Sequence, residues 1–413
     1  MKKVQTILVI LISVSFAYSQ SEDEIRKSIL VAINDGATYA MNNLIDEEGK
    51  SRCDYNIIEG KWYPYEPAWH TGQLIYGLLY AYKVTNNEEY LSAAKKSGDW
   101  WISLQITDHE KLNGMLNAIH GDGVDYIVFA TISDGSPGIF ELTRISREDK
   151  YAWVATDAGK WMLQNMYLEK EGMFYDVVDK ETGEVQTVNS PFWKDKKKQS
   201  LNDVARPNNE GFLFKDMYEF TGNETYKKVF INLCNSLVEK QDEYGLWMDF
   251  TPNHKDEGAF HPRFNLWYAE SLIEGYKLTG DESYINAALK TARFYTKFQM
   301  SDGTIYYKNY VSGKKNRNSI CGSAVSFAGI IWLKLKELGF GDEFEKNIQL
   351  SLEWVLKNRF SNDHPDKNLT GAFLETRTRR KNDKLWITMR DIATSFGLRF
   401  LSYYYLQNYS VVK

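Results

Sequence analysis

The sequence predicts an all-α chain, an (α/α)6 toroid of six helical hairpins, with short β-hairpins in the long loops on one face. Three observations predict it: a tight-turn signature that recurs along the chain, helical apolar spacing around each copy, and no Pro/Ser-rich linker to divide the chain. The clear copies are Tyr82-Lys-Val-Thr-Asn-Asn-Glu-Glu-Tyr90, Tyr218-Glu-Phe-Thr-Gly-Asn-Glu-Thr-Tyr226 and Tyr276-Lys-Leu-Thr-Gly-Asp-Glu-Ser-Tyr284. Looser copies are Ile145–Tyr151 and Leu338–Phe344. In each, Gly or Asn takes the left-handed position after one helix, and Asn or Asp caps the next. Glu then sits in the first turn, where the helix dipole favours a negative charge.

The elements follow in order. A first helix is expected over 22–45. Five pairs come next: 67–83 with 87–105, 135–146 with 149–167, 207–220 with 224–241, 264–278 with 282–299, and 320–338 with 342–359. A last helix is expected over 386–408. Leu272, Ile273 and Tyr276, and then Ile285, Ala288, Leu289, Ala292 and Tyr295, recur at helical spacing. The helices that end at the tight turns, together with the last, are apolar all round and form the inner ring. Turns from inner to outer helices are short. The return connections 106–134, 168–206, 242–263, 300–319 and 360–385 are long and gather over the N-terminal ends of the inner helices, where a functional cleft is expected. Helix N-termini there suit an acidic substrate. Gly245–Phe250 and Gly303–Lys308 alternate as short β-hairpins do, and Lys194–Lys198 is a charge cluster in the longest loop.

Met1–Ser19 reads as a secretory signal. Lys2 and Lys3 are basic, Ile7–Phe16 is an apolar run, and Ala17-Tyr18-Ser19 precedes a cleavage point. Residues 20–413 are then a single catalytic toroid domain, exported to the periplasm. The net charge of −5 offers no field for nucleic acid, and no later run is long and apolar enough for a membrane span. Aromatic residues make up 15% of the chain; buried rings explain most of this, and flat rings also suit sugar faces. Cys53, Cys234 and Cys321 form no CxxC pair, and Cys234 falls in a core pattern. There is no GxGxxG before a helix, no P-loop, no GxSxG and no HExxH. His254 and His261 with Asp249 or Asp256 do not have a recognised ligand spacing, so no metal or cofactor is expected.

The Thr-Gly-Asp/Asn-Glu-x-Tyr turns and the predicted toroid resemble the six-hairpin enzymes that act on uronic-acid glycans. These are unsaturated glucuronyl hydrolases, glucuronyl C5-epimerases and several polysaccharide lyases. Glu66-Pro-Ala-Trp-His-Thr-Gly-Gln-Leu-Ile-Tyr-Gly-Leu-Leu-Tyr80 is similar to the first inner helix of the hydrolases. The Trp-x-Asp-Asp segment carrying the hydrolases' catalytic Asp has no match, and Asp134 is the nearest positional analogue. The chain as a whole looks most like the oligosaccharide dehydratases of marine bacterial ulvan degradation. That resemblance implies β-elimination from a uronate, by dehydratase or lyase action, leaving a 4,5-unsaturated end.

Such an elimination needs a neutralised carboxylate, a base at C5 and an acid at the C4 oxygen. All six His map to the loop rim or to inner-helix starts. His261 is the expected base or acid, Arg263 the carboxylate or sulfate clamp, and Tyr268 the proton donor, sharing a helix face with Asn265. His70 is a second acid/base candidate, and Trp69 and Trp267 are sugar platforms. Arg206, Asn208, Asn209 and Glu210 start the third inner helix, where they cap it or bind sugar hydroxyls, and His120 lies in a turn-like loop. Arg390-Asp391 reads as a structural ion pair. Hydrolysis would need a carboxylic acid, with Asp134, Glu66 and Glu210 as candidates. A glycan-binding toroid without catalysis would rely on Trp69 and Trp267.

Overall fold

In the computed structural model, which describes residues 22–120, 126–191, 200–381 and 384–409, the turn signatures do what their chemistry requires. Asn86, Gly222 and Gly280 each take the left-handed conformation that ends a helix. Asn87, Asn223 and Asp281 then accept the N–H groups of Glu89, Thr225 and Ser283, which have no partner within the helix. In the two looser copies the left-handed residues are Arg147 and Gly339.

These turns pair ten of the twelve longer helices among the described residues: α1 (Glu22–Tyr39), α2 (Pro67–Thr85), α3 (Glu88–Ile102), α4 (Ser136–Ser146), α5 (Lys150–Asn165), α6 (Leu213–Thr221), α7 (Glu224–Lys240), α8 (Phe264–Thr279), α9 (Glu282–Thr296), α10 (Gly322–Glu337), α11 (Glu345–Lys357) and α12 (Ile392–Tyr409), all but α1 and α12. The even-numbered helices form the inner ring. Each packs on the next, α6 reaching α8 through a 3-10 turn at Glu210–Phe212, and α12 closes the ring against α2. The odd-numbered helices wrap the outside. Helix α3 shows why: Tyr90, Ala94, Ser97, Gly98 and Trp101 are buried on one stripe, whereas α10 is buried almost throughout. The chain is therefore an (α/α)6 toroid.

Short strands lie in the long loops. They are β1 (Asp54–Asn56), β2 (Lys61–Tyr63), β3 (Tyr126–Val128), β4 (Tyr167–Leu168), β5 (Met173–Tyr175), β6 (Val177–Asp179), β7 (Ala205–Arg206), β8 (Ala259–Phe260), β9 (Tyr306–Tyr310), β10 (Lys315–Ile320), β11 (Thr376–Lys381) and β12 (Lys384–Arg390). The largest sheet has the order β11-β12-β1-β2, all antiparallel, and so ties the C-terminal hairpin to the loop before α2.

Several boundaries differ from the sequence expectation. The last helix begins at Ile392, not 386, because 384–390 pair as a strand with both β1 and β11. The third inner helix begins at Leu213, not 207, after the 3-10 turn. The first helix ends at Tyr39 and continues as one π-helical turn to Leu44. Gly245–Phe250 is a series of turns and not a hairpin. Asp242 accepts the N–H groups of Tyr244 and Leu246, and Asn265 accepts that of Trp247, which leaves no ladder to form. The 303–308 hairpin exists but begins at Tyr306. The signal segment and Lys194–Lys198 lie outside the described residues. No helix among those described is long and apolar enough to cross a membrane, and all three cysteines are buried free thiols.

Candidate active site

The long loops and the N-terminal ends of the inner helices enclose a cavity of about 370 Å³. Its charged lining sorts into two clusters.

The first surrounds Tyr307 of β9. Arg263, just before α8, donates through Nη1 to Glu375 (2.9 Å) and Ser323 (2.8 Å) and through Nη2 to the Tyr307 hydroxyl oxygen (3.2 Å). Arg390, at the end of β12, donates to Asp54 (2.9 Å), to the same Tyr307 oxygen (2.8 Å) and to His70 Nε2 (3.0 Å). Two cationic donors thus converge on one phenol oxygen at the cavity wall. Arg377 of β11 lies 5.4 Å from the Tyr307 ring centre. Among the described residues it has no carboxylate at ion-pair distance. His261 meets Tyr307 edge-on at 5.5 Å. Burial, then the charges of Arg263, Arg377 and Arg390, hold the His261 imidazole well below its usual range, so it is neutral. Its Nδ1 accepts the N–H groups of Arg263 (3.3 Å) and Phe264 (3.4 Å), which puts the ring proton on Nε2.

The second cluster is acidic. Asp134 and Glu210 are brought together by two close backbone approaches. A Cβ on Gly211 would lie 2.0 Å from the Ser133 carbonyl oxygen, so only glycine lets the Glu210 turn sit against the Asp134 turn. A Cβ on Gly72 would lie 2.2 Å from the Gly135 carbonyl oxygen, which seats that turn on α2. Burial, then repulsion from Glu210, drives the Asp134 carboxyl well above the usual carboxylate range, and Arg206 only partly offsets this. Glu210 is raised too, by burial, against the pull of Arg206 at 3.4 Å. Among the described residues, Asp134 Oδ1 and Glu210 Oε2 have no hydrogen-bond partner. Glu66 behaves in the opposite way. Burial would raise it, but His120 and the Trp69 indole N–H (2.7 Å) hold it down at about 2. Burial would lower His120, and its bond to Glu66 raises it. One cavity therefore holds a proton-bearing carboxyl and an ionised one, sorted by their neighbours.

Of the residues singled out in the sequence, His261, Arg263, Trp69, Trp267, Arg206 and His120 line the cavity, as do Asp134, Glu66 and Glu210. Five stand behind it, among them Asn209, buried with its side-chain amide on Cys234 Sγ. Tyr268 is fully buried against Trp247 and Phe264. Burial, then Glu210, pushes its phenol well above the usual range, so it lacks both the position and the acidity of the expected donor. Asn265 holds backbone, accepting the Trp247 N–H (3.0 Å). Asn208 accepts the Arg206 Nε–H (2.9 Å). His70 is buried with both nitrogens engaged, Nδ1–H on Asp391 (2.5 Å) and Nε2 accepting from Arg390, so it orients a guanidinium and has no free site for substrate. Arg390 is not an ion pair with its neighbour Asp391. It reaches Asp54 and the cavity, while Asp391 holds His70 and Ser51.

Tyr307, Arg377, Asp176 and Tyr65 were missed by sequence reasoning. The first two carried a signal, being an aromatic and an arginine at alternating positions in long loops. The ligand atoms of Cys53, His70 and Asp391 lie within 4.8 Å of one another. This set does not suit a cation, because Arg390 occupies the second imidazole nitrogen and burial keeps the Cys53 thiol protonated.

No protein-family model matches the chain, and no curated protein matches it. Solved structures do. It is similar to cellobiose 2-epimerase from Bacillus thermoamylovorans B4167 (TM-score 0.67, 15% identity, covering 89% of this chain and 98% of that one). It is also similar to unsaturated glucuronyl hydrolase from Bacillus sp. GL1 (0.65, 12%, 92% and 96%). A third is the α-1,6-mannanase GH76A of Salegentibacter sp. HEL1_6 (0.57, 12%, 92% and 99%). At such identities the likeness is one of fold.

Proposed function

We propose that the protein is a carbohydrate-active enzyme that removes the C4 substituent of a uronate in an ulvan-type acidic oligosaccharide by β-elimination, as a dehydratase or a lyase, after export to the periplasm by its leader. The observation that carries this reading is the pairing, in one cavity, of an arginine cluster centred on Tyr307 with a buried, proton-bearing carboxyl at Asp134. Arg377, with Arg390 and Arg263, takes the substrate carboxylate and stabilises the negative charge that develops at C5. The Tyr307 oxygen, held by two guanidinium donors, accepts the C5 proton as its own hydroxyl proton passes to solvent. The electrons of the broken C5–H bond form C4=C5. Asp134 gives its proton to the departing C4 oxygen as the C4–O bond breaks, and water or an alcohol leaves. Solvent then returns a proton to Asp134. His261, neutral with its proton on Nε2, serves as a hydrogen-bond donor in this scheme. The toroid neighbours, whose names include a sugar epimerase, a glucuronyl hydrolase and a mannanase, support sugar chemistry in such a cleft.

The paired carboxyls Asp134 and Glu210 favour one second reading, hydrolysis of an unsaturated uronyl end with Asp134 as the acid. Ultraviolet absorbance of the conjugated C4=C5 enoate separates the two. A rise with saturated uronate oligosaccharides supports elimination. Loss of one water without chain cleavage then means dehydratase, and cleavage means lyase. A fall with unsaturated oligosaccharides means hydrolase, and no change with either refutes both.

A further inference from the structure

The antiparallel register of the four-stranded sheet continues the cavity outward. Asp54 lies opposite both Arg390 and Tyr63, Thr388 opposite Arg377, and Trp386 opposite Arg379. Side chains of directly paired residues, and of every second residue along a strand, share a sheet face. The face that presents Arg377 and Arg390 to the cavity therefore also carries Arg379, Trp386, Lys61 and Tyr63. The rings of Tyr63 and Trp386 meet at 5.6 Å, at an angle of 58°. Arg390 to Trp386 spans about 13 Å at the rise of an extended strand. That is room for more sugar than the cavity itself holds.

The charges on this strip are unbalanced. Among the described residues neither Arg379 nor Lys61 has a carboxylate at ion-pair distance, and both are exposed. Glu59 sits at the outer end, where it accepts the Tyr63 hydroxyl. Partial desolvation, then the charge of Arg377, lowers Arg379, as expected of two guanidinium groups held side by side without a counter-ion. An aromatic pair beside uncompensated cations, continuous with the cavity, has the chemistry of a platform for a sugar ring bearing an anionic group.

We propose that Tyr63, Trp386 and Arg379 form a distal subsite that binds a further sugar unit of the acidic oligosaccharide whose end occupies the cavity, the ring on Trp386 and its carboxylate or sulfate ester on Arg379. This rests on the reading of the substrate as an acidic oligosaccharide. The test is calorimetric binding and initial-rate measurement with ulvan-type disaccharides and hexasaccharides, sulfated and desulfated, on Trp386→Ala, Arg379→Gln and wild-type protein. Leu385→Ala, on the opposite face of the same strand, is the control. Wild type is expected to bind hexasaccharide more tightly than disaccharide. Trp386→Ala and Arg379→Gln should each weaken hexasaccharide binding about tenfold more than disaccharide binding, and Leu385→Ala should not. If the Arg379→Gln loss disappears on desulfated chains, its partner is the sulfate ester; if it persists, the partner is the carboxylate. Equal losses for both lengths, or no length dependence in wild type, overturn the subsite. Because binding is measured apart from turnover, length-dependent and Trp386-dependent binding without enoate formation would keep the subsite and refute the elimination.

Discussion

Replacing Tyr307 with Phe removes one oxygen and tests the centre of the proposed mechanism. That oxygen accepts from Arg263 at 3.2 Å and from Arg390 at 2.8 Å. The structural cost is modest. Arg263 keeps Glu375 and Ser323, and Arg390 keeps Asp54 and His70. Losing a hydrogen bond to a charged group costs about 1.5–3 kcal/mol when its partner is stranded, and here neither guanidinium is left without other acceptors. The fold should survive with a small fall in Tm. The catalytic cost is larger. A positioned acid–base group is worth about 10²–10⁴-fold in rate, or roughly 2.7–5.5 kcal/mol of barrier. We therefore expect kcat for enoate formation to fall at least about a hundredfold, with KM changed far less, because the three arginines still hold the carboxylate. The assay is absorbance of the product on saturated uronate oligosaccharides, with circular dichroism to establish folding. A folded Tyr307→Phe enzyme within about threefold of wild-type kcat would refute the assignment, since a proton-transferring group cannot be that dispensable.

Further predictions follow from the same geometry. Asp134 is raised in the folded state, so the native protein binds a proton that the unfolded chain has lost; stability falls as pH rises through that window. Asp134→Asn should therefore be at least as stable as wild type at pH 8 by urea denaturation, while losing most activity and the descending alkaline limb of the rate profile. Arg390→Lys cannot reach Asp54, Tyr307 and His70 together. KM for the free uronate should rise about tenfold or more, equivalent to 1.4 kcal/mol, with a much smaller rise for the uronate methyl ester. In His120→Ala, Glu66 loses its main partner, burial acts against only the Trp69 bond and the more distant His70, and the Glu66 pKa should move up from about 2 in a carbon-detected NMR titration. The stability difference from wild type in that variant should peak at mildly acidic pH. It should shrink as pH falls and Glu66 protonates, and again as pH rises through the raised value of His120.

Much of the architecture was legible because its causes are local. Asn87, Asn223 and Asp281 cap their helices within two residues of themselves, and the left-handed Asn86, Gly222 and Gly280 precede them directly. The rim position of Arg263, His261 and Trp69 also followed from loop lengths alone. Tyr268 misled because sharing a helix face with Asn265 says nothing about which neighbour that face meets, and here it meets Trp247 and Phe264. The strand at 384–390 pairs over most of its length with the neighbouring 376–381, but the strand that ties this hairpin into the sheet, 54–56, is more than three hundred residues away. With that partner out of view, apolar residues running into α12 read as more helix.

The sequence by itself determined the hairpin count, the inner and outer sets, and the face on which the cavity opens. Turn chemistry and helical periodicity act over a few residues and need no tertiary context. Only the tertiary structure decided which side chains meet. Arg263, Tyr307 and the hairpin bearing Arg377 and Arg390 converge from three separate loops, and Asp134 keeps its proton because it is buried and because Gly211 lets Glu210 lie beside it. Proximity, burial and the resulting acidity are properties of neighbours in space, and a chain read in order does not contain them.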